Sequence, residues 1–77
     1  MPHIIVKLAA GRSQELKARL AERIVTDVVT TLNIDERSVS VAIHDVKLEE
    51  WSETVYKPEI AGNRDRLYKK PGYNPFE

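Results

Sequence analysis

The sequence predicts an α/β fold built from one β-α-β unit: two parallel strands joined by a single long crossover helix, with a short helical C-terminal tail. Three observations predict it. Residues 3–8 (HIIVKL) form a run rich in β-branched side chains, residues 38–44 (SVSVAIH) alternate apolar and polar, and between them apolar residues recur at helical spacing. Strand, helix and strand in close succession require a crossover connection, which is right-handed for parallel neighbours.

The first strand places Ile4, Val6 and Leu8 on one face, while Ile5 on the other implies that both faces are at least partly covered. Ala9, Ala10, Gly11 and Arg12 form a short loop, and Ser13 is placed to cap the helix that follows. From there Leu16, Leu20, Ile24, Val28 and Leu32 recur every four residues, flanked by Ala21, Val25 and Val29. This is an amphipathic helix of about five turns, roughly 28 Å long, ending at Asn33 as a left-handed cap. The second strand puts Val39, Val41 and Ile43 on one face. One helix covers one face of a two-stranded sheet, and a second copy of the chain is expected to cover the other.

Beyond residue 47 the pattern is less regular. Residues 48–51 open a short helix that Pro58 is expected to interrupt, residues 59–68 form another, Pro71-Gly72 turns the chain, and residues 73–77 read as a loose tail. No internal repeat or linker divides the sequence, so residues 1–77 are expected to form a single domain.

Composition excludes several functions. The chain has 77 residues, no cysteine, and a formal net charge of zero from 12 basic and 12 acidic residues. Without cysteine there is no disulfide, thiolate nucleophile or cysteine metal site. A nucleic-acid binder would carry a basic excess, and the longest basic cluster here is Lys69-Lys70. No stretch approaches the ~20 apolar residues that span a bilayer, and no apolar leader is present, so a cytoplasmic location is expected. A domain this small buries only about 60% of its unfolded surface, which makes oligomerisation the default.

Familiar catalytic signatures are absent. Gly11, Gly62 and Gly72 are too scattered to cradle a phosphate, and His3 and His44 have no metal-ligand spacing, so each reads as an ordinary strand residue. Pro2 differs. Removal of Met1 would leave it with a free secondary amine, far more basic than a peptide nitrogen. At the edge of an apolar pocket, desolvation and neighbouring arginines disfavour its cationic form and bring its pKa toward neutrality. Proton transfer at carbon requires such a base, and the rigid ring leaves its lone pair aimed by the strand.

The segment MPHIIVKLAAGRSQELKARL, with Pro2 leading into an apolar strand and a Gly11-Arg12-Ser13 corner opening the helix, resembles the start of the 4-oxalocrotonate tautomerase family, part of the amino-terminal-proline tautomerase superfamily. The resemblance continues through SVSVAIH and Trp51. The tail WSETVYKPEIAGNRDRLYKKPGY, with its Lys69-Lys70-Pro71-Gly72-Tyr73 ending, looks specifically like the small dimeric bacterial members that tautomerise phenylpyruvate-type substrates. It implies a tautomerase-type fold whose sheet is completed by dimerisation, and a cofactor-independent isomerase acting on a small 2-oxo acid. Carried over, it makes Pro2 the general base and then acid. Arg12 matches an arginine that holds the substrate carboxylate, a task suited to a planar bidentate donor; read from sequence alone it is equally a solvated loop residue. Trp51 matches an aromatic wall of the pocket, although a sole tryptophan also serves as a core anchor.

One departure narrows the substrate. Ser40 stands where the family's best-known members have a second arginine that draws electron density to the substrate carbonyl. A hydroxyl donates one hydrogen bond and brings no charge, so a monocarboxylate with an aromatic or apolar end, such as phenylenolpyruvate, fits better than a dicarboxylate. Geometry adds that Pro2 and Leu8 lie roughly 20 Å apart, beyond an arginine's reach, so Arg12 is expected to serve the proline of another subunit. The long tail could cover the surface on which hexameric relatives stack their dimers, which favours a homodimer over a homohexamer. Two other readings remain: a dehalogenase or hydratase that uses protonated Pro2 to activate water, and a dimeric binding protein that has kept the fold without the chemistry.

Overall fold

The computed structural model describes residues 1–77. Strand β1 (His3–Ala9) leads into helix α1 (Gln14–Leu32), a single 3₁₀ turn (Glu36–Ser38) and strand β2 (Ser40–Val46). The two strands pair in parallel as a two-stranded sheet, joined by α1 as the sequence predicts. By its internal contacts the chain divides into two compact units, Met1–Asp45 and Val46–Glu77. No helix is long and apolar enough to cross a membrane.

In the first unit, each end of the crossover is set by a local device. Gly11 adopts φ 125°, a conformation that side chains resist, and a Cβ there would meet nothing within 4 Å, so the constraint is torsional. Ser13 then caps α1, its Oγ accepting from the Leu16 N–H at 3.2 Å. At the far end Asn33 turns left-handed (φ 55°, ψ 57°), and the Asn33 and Ile34 N–H groups both donate to the Val29 carbonyl. Asp35 caps the next turn by accepting from the Arg37 N–H at 2.8 Å. That bond, reinforced by the Arg37 guanidinium, holds the Asp35 carboxyl below the usual carboxylate range. Its contribution is present above that range and fades as pH falls through the lowered value. Lys17 ties α1 to the end of β2 through a 2.7 Å ion pair with Asp45.

Two sequence expectations shift here. The covered stripe of α1 is Lys17, Ala21, Ile24, Val25, Val28 and Val29, whereas Leu16, Leu20 and Leu32 are 50%, 37% and 56% exposed. A row spaced strictly by four advances about 40° around the helix at each step, so its ends swing off the face that packs. The second strand begins at Ser40 instead of residue 38, because Asp35 draws Glu36–Ser38 into the preceding turn.

The sheet has two unequal faces. By alternation Ile4, Val6 and Leu8 share one with Val41 and Ile43; His3, Ile5 and Lys7 share the other with Ser40, Ala42 and His44. On this second face His3, Ser40 and His44 are exposed and Ile5 is 53% exposed. No side chain of the first unit is fully buried.

The second unit holds the two enclosed side chains of the chain, Val55 and Tyr56, at 5% and 8% exposure. Leu48–Glu50 forms a 3₁₀ turn, Ser52–Ile60 a π-helical segment and Ala61–Arg66 a further 3₁₀ stretch broken at Asn63 (φ −140°, ψ 29°). Pro58 therefore lies inside a helix instead of interrupting one. A proline clashes with the carbonyl four residues back in an α-helix, and the wider π turn relieves this. The segment closes with the Ala61 N–H shared between the Tyr56 and Lys57 carbonyls. Residues 73–77 are not loose. Tyr73 and Phe76 pack on the Tyr56 ring at centroid distances of 5.5 and 6.0 Å, and Asn74 Oδ1 accepts from the Phe76 N–H at 2.9 Å.

Two substitutions probe the crossover. Gly11→Ala should destabilise the protein by about 1–2 kcal/mol through backbone torsion alone. Ser13→Ala should cost about 1 kcal/mol through the lost cap. Urea unfolding midpoints measure both.

Candidate active site

Pro2 lies immediately before β1, half-buried, with Met1 ahead of it 96% exposed. While Met1 is attached the Pro2 nitrogen is an amide, with neither a proton to give nor a lone pair to accept one. The Pro2 carbonyl accepts from the Ser40 N–H at 3.2 Å, so the first residue of β2 fixes the residue that opens β1. The Ser40 hydroxyl in turn shares a hydrogen bond with His3 Nδ1 at 2.6 Å. Parallel pairing therefore brings Pro2, His3 and Ser40 together at one end of the sheet.

Arg12 is at the other end. Its Nη1 donates to the Ala9 carbonyl at 3.0 Å, which holds the guanidinium against the last residue of β1. Seven strand residues separate this point from Pro2, a span of about 23 Å at 3.3 Å per residue. Within one chain Arg12 and Pro2 do not meet. The bond to Ala9 occupies one of five guanidinium donors and leaves the others for an anion.

Trp51 belongs to the second unit. It is half-buried, and its indole Nε1–H donates to the Tyr73 hydroxyl at 2.9 Å, while the Tyr56 hydroxyl donates to the Tyr73 carbonyl at 3.4 Å. Tyr73 thus joins Trp51 to Tyr56, and Phe76 packs on the Tyr56 ring. An open cleft of about 430 Å³ runs beside it, lined among others by Tyr56, Arg64, Leu67, Lys70 and Phe76. Neither Pro2, Arg12, Ser40 nor Trp51 lines this cleft, so its size does not mark it as the place for proton transfer. Sequence reading missed two contacts, His3 with Ser40 and Trp51 with Tyr73. Each joins residues 22 or more positions apart, and the register that pairs them is not written in either local segment.

Comparison with known proteins places this geometry in a class. The family described as Tautomerase enzyme matches residues 2–53, the β-α-β unit together with Trp51. A "Probable tautomerase" of Xylella fastidiosa is 49% identical over 73 residues, covering 95% of this chain and 89% of that protein. Proteins named "Tautomerase PptA" from Cronobacter sakazakii and Enterobacter sp. are 40% and 37% identical, each match covering at least 95% of both chains. The chain belongs to the tautomerase family, and its activity is that of an isomerase.

The Trp51–Tyr73 bond is directly testable, because Trp51 is the only tryptophan. Tyr73→Phe should shift the intrinsic fluorescence maximum and lower stability by about 1 kcal/mol, the net worth of one hydrogen bond. An unchanged emission spectrum would show that the two groups do not meet in solution.

Proposed function

We propose that the protein interconverts the enol and keto forms of a small 2-oxo monocarboxylate with an aromatic or apolar end, a phenylenolpyruvate-like acid, with Pro2 as the proton carrier once Met1 has been removed. The Pro2 nitrogen takes the enol O–H proton, and the pair that held it becomes the carbonyl as the carbon–carbon double bond accepts the same proton at C3. Atoms and charge balance without a co-reactant. The secondary amine then returns to its starting state, so the cycle needs no cofactor.

The observation that carries the reading is that Ser40, the position lacking a second arginine, is held next to Pro2 by the backbone bond from its N–H to the Pro2 carbonyl. Its hydroxyl supplies a neutral donor for the oxygen that turns from hydroxyl to carbonyl, which suits one carboxylate and no second charge. Arg12 holds that carboxylate, and Trp51 walls the apolar end. Residues 1–77 act as one catalytic domain, working in the cytoplasm with neither nucleic acid nor membrane as a partner.

The site is shared between subunits of a homodimer. Two features support this: the span between Arg12 and Pro2 along β1, and the sheet face that carries half-exposed Ile5. A two-stranded sheet is marginal alone, and a second copy supplies both the missing cover and the missing guanidinium.

Intact mass of the processed protein should show Met1 absent. Pro2→Ala should lower kcat for ketonisation by about 10²–10⁴-fold, and equal rates for variant and wild type would refute the proposal. Mixed Pro2→Ala and Arg12→Ala subunits should regain about a quarter of wild-type activity, since half the dimers are mixed and each has one intact site. No recovery would count against sharing, and a hexamer in sedimentation would overturn the dimer.

A further inference from the structure

Resting on the reading that Pro2 carries the proton and Ser40 faces the substrate oxygen, we infer that His3 is a positioning residue: its Nδ1–H donates to Ser40 Oγ and thereby commits the Ser40 proton to the substrate. Read from sequence alone, His3 is an ordinary strand residue. The 2.6 Å separation between His3 Nδ1 and Ser40 Oγ makes it the nearest partner of a hydroxyl that stands at the proposed reacting centre.

A serine hydroxyl has one proton and two lone pairs, and it rotates to suit its neighbours. If the imidazole accepted at Nδ1, the single Ser40 proton would be spent on His3 and none would remain for an enolate oxygen. If Nδ1 carries the hydrogen, it occupies a lone pair of Oγ, and the Ser40 O–H must point to another acceptor. Donation into Oγ also polarises the hydroxyl and strengthens the bond it gives. The backbone of Ser40 cannot swing away, because its N–H is held by the Pro2 carbonyl at 3.2 Å. His3 and Ser40 occupy the sheet face that α1 leaves open, at the end beside Pro2, and both are exposed in the single chain, so their own chain does not bar a substrate from them; the second copy that covers this face forms the other wall. The His3–Ser40 pair thus does through orientation part of what a second arginine would do through charge.

The test uses the mature protein and the ketonisation of phenylenolpyruvate. Ser40→Ala and His3→Ala should each lower kcat by about 10-fold or more with KM little changed, as for lost support of a group at the reacting centre. Because His3 acts through Ser40, the double variant should be no slower than Ser40→Ala. His3→Asn, whose amide nitrogen can stand near the place of Nδ1 and donate, should recover most of the loss and also serves if His3→Ala fails to fold. Nitrogen-15 NMR of the imidazole should show the Nδ1–H tautomer. Wild-type kcat in His3→Ala, multiplying losses in the double variant, or an Nε2–H tautomer would each overturn the role of His3. Pro2→Ala run in parallel separates the two levels: an inactive Pro2→Ala beside a wild-type-like His3→Ala sinks the present inference alone, whereas a fully active Pro2→Ala removes the tautomerase mechanism beneath it.

Discussion

A sheet has two faces and this chain has one long helix to cover them. That mismatch governs the rest of the structure. α1 lies along one face with Ala21, Ile24, Val25, Val28 and Val29, yet even there nothing is fully enclosed, and Ile5 on the opposite face stays about half exposed. At roughly 25 cal/mol per Å² of apolar surface removed from water, an uncovered face forgoes the largest favourable contribution open to so short a chain. Association with another copy is the direct physical remedy. The same surface carries His3 and Ser40, so whatever covers it also bounds the chemistry proposed there.

The ends of the strands divide the work. Parallel pairing joins the start of β1 to the start of β2, which puts Pro2, His3 and Ser40 side by side, while the Gly11 corner carries Arg12 to the far end, against Ala9. A β-α-β unit cannot bring both ends of its first strand together, since the strand is rigid and the helix runs back beside it. A reaction that needs both an N-terminal amine and that guanidinium must take them from different chains.

Much of this was legible in the sequence, for identifiable reasons. Ser13 and Asn33 announce the ends of α1 because capping depends on a few adjacent residues, and both caps stand where they were read. The strand alternation was equally local. What failed was less local. The row from Leu16 to Leu32 reads as part of the apolar face of an amphipathic helix, but helix geometry swings the ends of such a row away from the sheet. Pro58 reads as a helix breaker on α-helical rules, and the chain widens its turn instead. Tyr73 and Phe76 look unanchored in the sequence because their partner, Tyr56, lies 17 and 20 positions earlier, in a segment with no clear period. The pairing of His3 with Ser40 depends on the register between strands 37 positions apart, which neither strand encodes alone.

The exposed methionine ahead of Pro2 has a last consequence. Nothing in the β-α-β unit requires Met1 to leave, for the strands pair and the Ser40 N–H finds its carbonyl with the methionine still attached. Architecture and amine are thus independent properties of one polypeptide. An affinity tag or leader fused upstream would leave the position-2 nitrogen an amide, and under the mechanism proposed above every such copy would await an aminopeptidase before it could carry a proton.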